Sequence, residues 1–242
     1  ALGAALAMNN LTAVRNDKRG MRDVTRDGHT WIMSLLYIGT FGSFIGFGFA
    51  FGQVLLNQFP AQFDTPLKAA YLTFLGPLLG SLIRPVGGRL ADALGGARVT
   101  AANFGAMAVA AAVVLTASVQ HSLPLFIVGF LLLFVFSGIG NGSTYKMIPA
   151  IFRAKSELAV ADGADQKTAR CQARRLSAAL IGLAGAIGAF GGVLVNLAFR
   201  QSFLTSGTGN AAYVAFGIFY LICVAVTWYV YLRPAPRTLV GV

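Results

Sequence analysis

The sequence predicts an all-α membrane protein with six transmembrane helices. Of its 242 residues, 56% are hydrophobic and only 11% are charged, whereas soluble domains carry about 25% charged residues. The charges are also unevenly spread, and residues 99–145 contain no Asp, Glu, Lys or Arg. Backbone amides in lipid must bond within their own segment or a closed barrel, and continuous apolar runs without alternation favour helices. These observations exclude a soluble enzyme.

Five uncharged runs locate the predicted helices. They are residues 30–63, 69–83, 99–145, 176–199 and 201–232. The run at 99–145 is too long for one crossing of about 20 residues, and the polar turn Gln120-His121-Ser122-Leu123-Pro124 divides it into two helices. The six predicted spans are residues 31–57, 67–90, 99–119, 124–152, 176–199 and 211–232. Residues 31–242 therefore form the predicted six-helix domain.

The distribution of basic residues predicts the orientation in the membrane. When successive loops are assigned alternately to two sides, every Lys and Arg except Lys68, Arg84 and Arg200 falls on one side. The positive-inside rule makes that side cytoplasmic and places both termini there. Residues 1–30 are accordingly predicted to be the tail of a truncated helix followed by a basic cytoplasmic loop.

The net charge of +11 has two interpretations, topology or nucleic-acid binding. The basic residues are scattered over several segments beside the membrane, and no platform of aromatic and basic side chains accompanies them. We therefore interpret the charge as a topology signal near anionic lipid, with the lipid bilayer rather than nucleic acid as the partner.

One basic residue, Arg84, cannot be assigned to a loop. The uncharged run at 69–83 is shorter than a crossing, so Arg84 is predicted inside the second span, about 12 Å from its cytoplasmic end. A guanidinium there costs at least ~2.5 kcal/mol and keeps its proton, so it must face protein, water or an anion. All eight Asp and Glu residues fall in loops or at helix ends. We expect Arg84 to bind an anion, with a carboxylate from a partner as the alternative.

Residues on neighbouring predicted spans can complete an anion site around Arg84. Tyr37 and Phe41 are four residues apart on the first span, and they supply a hydroxyl donor and a ring that packs on a flat ligand. On the fourth span, Asn141 falls near the depth of Arg84, in a polar segment that also contains Ser143. Hydrogen bonding between helices is an equally strong interpretation of the polar side chains of that segment.

Small residues are concentrated on the fifth predicted span, where they allow neighbouring backbones to approach closely or to slide. They are Gly182, Gly185, Gly188, Gly191 and Gly192. Gating and static packing explain this pattern equally well.

Lys146 on the fourth span is expected to contact lipid headgroups rather than a ligand. No metal site or other cofactor is predicted, because Cys171 and Cys223 lie in different environments and form no pair.

Four ordered motifs resemble the nitrate/nitrite porter family of the major facilitator superfamily. They are FGSFIGFGFAFGQ at 41–53, RPVGGRLAD at 84–92, GIGNGSTYKMIPAIF at 138–152 and GLAGAIGAFGG at 182–192. The loop after the second span also resembles the superfamily's GxxxDxxGxR-type motif, through Gly88, Asp92 and Arg98, with Ala93 where a basic residue is common. The resemblance covers nearly the whole chain from Trp31 onward.

The resemblance implies that the chain is the C-terminal half of a twelve-helix transporter, which moves nitrate and nitrite by alternating access. It implies that Arg84 clamps the anion together with an Arg from the other half. By the same resemblance, Tyr37 donates a hydrogen bond and Phe41 forms one face of an aromatic sandwich. The other half would lie outside this sequence, so we expect no transport from this chain alone.

Three alternatives for the function are weighed against this expectation. Proton symport needs a titratable group in the pathway, and both histidines, His29 and His121, fall at loop positions. An uncompensated cation also raises the barrier to switching when empty, so nitrate/nitrite antiport is favoured. An intramembrane enzyme is disfavoured, because the sequence has no HExxH pair, no paired intramembrane carboxylates and no GxSxG-type element. Transport of another small anion by the same fold stays open.

The expected location is the plasma (inner) membrane of a prokaryote.

Overall fold

The computed structural model describes residues 18–233, and these residues are almost entirely helical, without a strand. The helices are α1 Lys18–Thr25, α2 Gly28–Tyr37, α3 Ser43–Gln58, α4 Pro66–Thr73, α5 Leu75–Leu94, α6 Gly96–Val119, α7 Leu123–Ala161, α8 Gln166–Ser206 and α9 Asn210–Thr227. A π-helical turn at Ile38–Gly42 joins α2 to α3, and another at Trp228–Leu232 extends α9. The predicted tail of a truncated helix lies in residues 1–17, outside the described residues.

Six helical stretches in residues 18–233 are long and apolar enough to cross a membrane, which confirms the predicted number and order of spans. Spans 1 to 6 are Gly28–Gln58, Pro66–Leu94, Gly96–Val119, Leu123–Ala161, Gln166–Ser206 and Asn210–Leu232. Short connections make consecutive spans antiparallel, so spans 2 and 4 run in the same direction. We call the two ends of the bundle the basic end and the opposite end. The basic end carries Arg89, Arg98, Lys155 and Arg175, and the opposite end carries Lys68 and Arg200.

Spans 4 and 5 extend beyond the apolar runs predicted at 124–152 and 176–199. Helix α7 continues to Ala161, and α8 begins directly after Asp165. The added segments are rich in Ala, Lys, Gln and Arg, which are good helix formers and need no lipid around them. Asp165 caps α8 by accepting hydrogen bonds from the Thr168 hydroxyl at 2.7 Å and from its backbone N–H at 2.8 Å. These hydrogen bonds lower the pKa of the Asp165 carboxyl.

Part of the segment predicted as a basic loop is helical and packs on the bundle. Helix α1 contacts span 5, where Arg175 donates to the Asp23 carboxylate at 2.8 Å. Asp27 then caps span 1 by accepting a hydrogen bond from the backbone N–H of His29 at 3.0 Å. Its second carboxylate oxygen pairs with Lys155 of span 4. Capping and ion pairing thus fix the start of span 1 against spans 4 and 5.

Spans 2 and 4 cross with their backbones in contact. A Cβ at Gly138 would overlap the carbonyl oxygen of Gly80, and one at Gly142 would overlap the carbonyl oxygen of Arg84. Small residues that allow such approach are typical of helix pairs in membranes. The crossing sets the position of Arg84 relative to the polar segment of span 4.

Aromatic side chains fill the half of the bundle nearer the opposite end. Phe51 of span 1 stacks on Phe130 of span 4, with ring centroids 4.5 Å apart and an interplanar angle of 11°. Phe47 packs edge-on against Phe130 and also contacts Phe199 of span 5 and Phe216 of span 6. Buried aromatic pairs of this kind contribute about 0.5–1.5 kcal/mol each beyond their buried area. This core joins spans 1, 4, 5 and 6 and leaves the basic half of the bundle free for a cleft.

Candidate anion-binding site

A cleft of about 480 Å³ lies between spans 1, 2 and 4 in the basic half of the bundle. Its lining consists of Tyr37, Phe41, Arg84, Pro85, Gly88, Arg89, Asp92, Asn141, Gly142, Tyr145 and Lys146. The structure thus brings together four residues that the sequence predicted for one site, namely Tyr37, Phe41, Arg84 and Asn141. Three cations and one carboxylate line the cleft, which makes it attractive to anions.

Arg84 lies within span 2, ten residues before its last residue Leu94, or about 15 Å along the helix axis. Its guanidinium carbon is 4.3 Å from the centroid of the Phe44 ring and 5.8 Å from that of Phe41. The Nε atom is buried and has no hydrogen-bond partner. None of the ion pairs formed within residues 18–233 includes Arg84. Two aromatic faces therefore lie against its charge, and no carboxylate of this part of the chain pairs with it.

The Phe44 ring is held firmly beneath the guanidinium. It packs edge-on against Phe134, with centroids 6.2 Å apart and an interplanar angle of 90°. A Cβ at Gly80 would lie 2.7 Å from the same ring. Gly80 lies one turn before Arg84 on the same face of span 2. Because Gly80 has no side chain, the Phe44 ring can occupy the space beside it. The charge thus lies on a rigid aromatic surface rather than in bulk solvent.

Tyr37 and Phe41 border the cleft from span 1. Their ring centroids are 5.4 Å apart, and the rings are tilted by 40°. The π-helical turn begins directly after Tyr37, and such turns occur frequently at functional sites. Gly188 of span 5 lies behind Tyr37, where a Cβ would approach its ring to 2.8 Å. The Tyr37 hydroxyl makes no hydrogen bond within residues 18–233, so it is free to donate to a ligand.

Asn141 and Ser143 are close in sequence, but the structure assigns them different surroundings. Asn141 is 4% exposed and lines the cleft, and its amide nitrogen has no hydrogen-bond partner in the described part of the chain. Ser143, which the sequence predicted as a ligand-binding residue, lies outside the cleft lining. It bonds to the Thr100 hydroxyl of span 3 at 2.9 Å and to the Gly140 carbonyl at 3.1 Å. Ser143 therefore joins spans 3 and 4, as in the alternative interpretation of the polar segment.

The chain is similar to curated transporters from several bacteria. It is 37% identical to nitrate/nitrite transporter NarU of Salmonella typhimurium over 241 residues, which make up 98% of this chain and 51% of that protein. The NarU protein of Escherichia coli is also 37% identical, over 96% of this chain and 50% of the relative. The probable nitrate/nitrite antiporter NarK2 of Thermus thermophilus is 35% identical, over 96% of this chain and 49% of that protein.

The chain belongs to the nitrate/nitrite porter family of the major facilitator superfamily. No family model matches it. As a porter-family chain with six membrane-spanning helices, it is an integral membrane protein and forms a six-helix half of the superfamily fold. It spans about half the length of the curated relatives that it matches.

The glycine-rich segment of this porter-family chain divides into two parts. Gly188 and Gly192 pack on span 1, and a Cβ at Gly192 would lie 2.7 Å from a methyl group of Ile45. At Gly182 and Gly185, in contrast, a Cβ would meet no atom within 4 Å. Gly188 and Gly192 therefore serve helix packing in this structure. Gly182 and Gly185 lie on a surface that the described residues leave uncovered.

The residues of the porter-family loop motif lie in two different places: Gly88 and Asp92 at the cleft, and Arg98 outside it. Asp92 lines the cleft and accepts a hydrogen bond from Lys146 Nζ at 2.8 Å. Gly88 lies one turn earlier, where a Cβ would make ordinary contact with the Lys146 stem at 3.7 Å. Arg98 is exposed beside a separate apolar groove between spans 2, 3 and 4. Lys146, expected to contact lipid headgroups, lines the cleft and is paired with the Asp92 carboxylate.

Two residues of the site, Phe44 and Tyr145, were missed by the sequence reasoning. Phe44 is three residues after Phe41, and Tyr145 is four residues after Asn141. Both spacings place the two residues on the same face of a helix. Both could have been found by extending each predicted face by one turn. Their side chains add an aromatic floor and an exposed aromatic wall to the cleft.

Proposed function

We propose that this chain is the C-terminal, anion-binding half of a nitrate/nitrite transporter that works by alternating access. The observation that carries the proposal is the Arg84 guanidinium, which lies in a cleft without a carboxylate partner among residues 18–233. The names of the relatives, nitrate/nitrite transporter and probable nitrate/nitrite antiporter, support the same substrates.

The chemistry of the cleft suits a small planar anion. Guanidinium presents parallel N–H donors that match two oxygens of nitrate or nitrite. The Tyr37 hydroxyl and the Asn141 amide nitrogen offer two further donors that lack partners in the described residues. Phe41 offers a ring face for the plane of the ligand. An anion in this place would accept hydrogen bonds from Arg84, Tyr37 and Asn141 together.

A second six-helix half would complete the binding site. The relatives are about twice as long as this chain, and the cleft is walled by spans 1, 2 and 4 but is not enclosed by them. A half that brings its own cation and aromatic ring would close the cleft from the other side. Gly182 and Gly185 lie on an uncovered surface, which suits contact with that half.

Exchange of nitrate for nitrite fits the charges of the cleft better than proton symport. The only carboxylate in its lining is Asp92, which is largely exposed and paired with Lys146. His29 lies at the basic end of span 1 and contacts the Tyr231 hydroxyl at 3.1 Å, away from the cleft lining. Without an anion, the Arg84 charge opposes a dry occluded state, whereas the loaded carrier can switch. This difference predicts an obligatory exchanger.

The proposed orientation places the basic end at the cytoplasmic face of the prokaryotic inner membrane, with both termini in the cytoplasm. Arg89, Lys155 and Arg175 at that end, against Lys68 and Arg200 at the other, support this orientation through the positive-inside rule. The cleft would then open toward the cytoplasm along span 2.

The test is counterflow in proteoliposomes that contain the assembled transporter, this chain with its second half. Nitrate inside should drive uptake of labelled nitrite, and uptake should stop without an internal anion. Arg84→Lys keeps the charge but loses the planar fork, so uptake at low substrate should fall about tenfold or more. Arg200→Lys, at the opposite end, is the matched control and should leave uptake unchanged. Wild-type uptake that needs no internal anion would contradict exchange, and full uptake by Arg84→Lys would remove Arg84 from the site.

A further inference from the structure

We propose that the cleft contains a second, weaker anion-binding subsite at its basic end, formed by Lys146 and Arg89 and competed for by the Asp92 carboxylate. The inference rests on the proposed function, because it treats Arg84 as the deeper and tighter anion site. The ligand is the transported anion itself, held at an outer position before it reaches Arg84 or after it leaves.

The helix register separates the two subsites along the cleft. Spans 2 and 4 run in the same direction, and each presents a row of cleft residues toward the basic end. On span 2, Asp92 follows Arg84 by eight residues, or about 12 Å along the axis. On span 4, Lys146 follows Asn141 by five residues, or about 7.5 Å. The Lys146–Asp92 contact therefore lies roughly two turns closer to the basic end than Arg84.

The ion pair at the outer position is open to competition. Lys146 Nζ lies 2.8 Å from one carboxylate oxygen of Asp92, and the two side chains are 46% and 59% exposed. Exposed ion pairs of this kind contribute little free energy, because water and salt screen them. Arg89 adds a second cation to the same lining. An incoming anion can thus replace the carboxylate at Lys146 without leaving a buried charge unpaired.

The cleft has room for both anions. Its volume of about 480 Å³ is many times the roughly 30 Å³ that one water molecule takes in the liquid, which leaves room for two small anions. A separation of about 12 Å also exceeds the Debye length of about 8 Å at physiological ionic strength. Repulsion between the two anions is therefore weak enough for both to bind. An anion at the outer subsite would raise the local concentration near Arg84 and speed its loading.

A similar ion pair outside the cleft supplies the control. Lys155 of span 4 pairs with Asp27 at the same end of the bundle, through a lysine nitrogen and one carboxylate oxygen. Lys155 belongs to a different pocket, and Asp27 is only 18% exposed. Lys155→Met removes the same charge from the same helix as Lys146→Met, but it leaves the cleft intact.

The experiment is equilibrium dialysis of labelled nitrate against the assembled transporter in detergent at physiological ionic strength, where the two anions are screened from each other. We expect two classes of site in the wild type and in Lys155→Met. Lys146→Met should lose the weaker class and keep the tighter one, whereas Lys146→Arg should retain both. Asp92→Asn should tighten the weaker class about threefold to fivefold, because the competing charge is gone. An increase in affinity cannot result from misfolding.

Each remaining outcome separates this proposal from the proposed function. One class of nitrate site in the wild type, unchanged in Lys146→Met, would overturn the outer subsite and leave the Arg84 site standing. Equal loss of the weaker class in Lys146→Met and Lys155→Met would show that the weaker binding depends on net charge alone, and it would overturn the outer subsite. Weaker binding in Asp92→Asn would also overturn the competition. If nitrate does not bind to the wild type at all, the proposed function itself fails.

Discussion

The two faces of span 4 carry similar polar side chains but satisfy them differently. Away from the cleft, Ser143 bonds to the Thr100 hydroxyl of span 3 at 2.9 Å, and the Thr144 hydroxyl lies 3.3 Å from the Thr40 hydroxyl of span 1. On the face toward the cleft, the amide nitrogen of Asn141 has no partner in the described residues. Buried polar groups are normally hydrogen-bonded, so an unpaired one calls for an explanation. The paired face holds the bundle together, and we interpret the unpaired face as a site that an anion completes.

The largest expected effect comes from the crossing that both faces depend on. Gly142→Leu would drive a side chain into the backbone of span 2 at Arg84. Overpacking commonly costs 1–3 kcal/mol, and a clash with backbone costs more. We expect a loss of folded protein, measured as a large drop in melting temperature by thermal unfolding in detergent. Gly105→Leu is the control, because a Cβ there meets no atom within 4 Å. Equal stability of the two variants would contradict the close crossing.

The unpaired face is tested by Asn141→Leu. The amide should donate to a charged oxygen, and such hydrogen bonds contribute about 1.5–3 kcal/mol. Nitrate affinity should therefore fall about tenfold to a hundredfold, as measured by equilibrium dialysis. The melting temperature should stay the same or rise, since an unpaired buried amide is removed. Unchanged affinity together with lower stability would move Asn141 to the structural face.

The aromatic floor under Arg84 should have a smaller effect. Phe44→Leu removes the ring that lies 4.3 Å from the guanidinium carbon, and a partly desolvated cation–π contact contributes about 0.5–2 kcal/mol. We expect nitrate affinity to decrease severalfold, because Arg84 is less well positioned. Phe44→Tyr keeps the ring and should bind nitrate almost as the wild type does. The measurement is the nitrate dissociation constant of each variant.

The smallest expected effect is on the paired face, with Ser143→Ala. The substitution removes the hydrogen bond to Thr100, and a neutral hydrogen bond contributes about 1 kcal/mol to stability. Thermal unfolding should show a modest loss of stability, while nitrate affinity stays that of the wild type. A change in affinity without a change in stability would show that Ser143 contacts the ligand after all.

The sequence predicted the six spans and the position of Arg84 inside the second one, because both follow from charge and hydropathy along one dimension. It could not predict which way each side chain points. Asn141 and Ser143 are two residues apart, and each residue of a helix turns by about 100°, so they face different neighbours. That count around the helix, once span 3 was known to pack on one side, would have separated the amide that lines the cleft from the hydroxyl that bonds to span 3.

The extensions of spans 4 and 5 were missed for a different reason. Hydropathy marks where a helix leaves the membrane, but the hydrogen bonds of a helix continue into water as long as its residues favour them. The Lys146–Asp92 pair also escaped prediction, because it joins residues 54 positions apart on different spans. Only the close crossing of spans 2 and 4 brings them within 2.8 Å.

A high-resolution structure of the assembled transporter with nitrate would show whether an anion completes the coordination of Arg84. We expect nitrate within hydrogen-bond distance of the Arg84 guanidinium, the Tyr37 hydroxyl and the Asn141 amide nitrogen, with its plane against Phe41. A carboxylate from the second half paired with Arg84, and nitrate absent from the cleft, would rule out this role for Arg84.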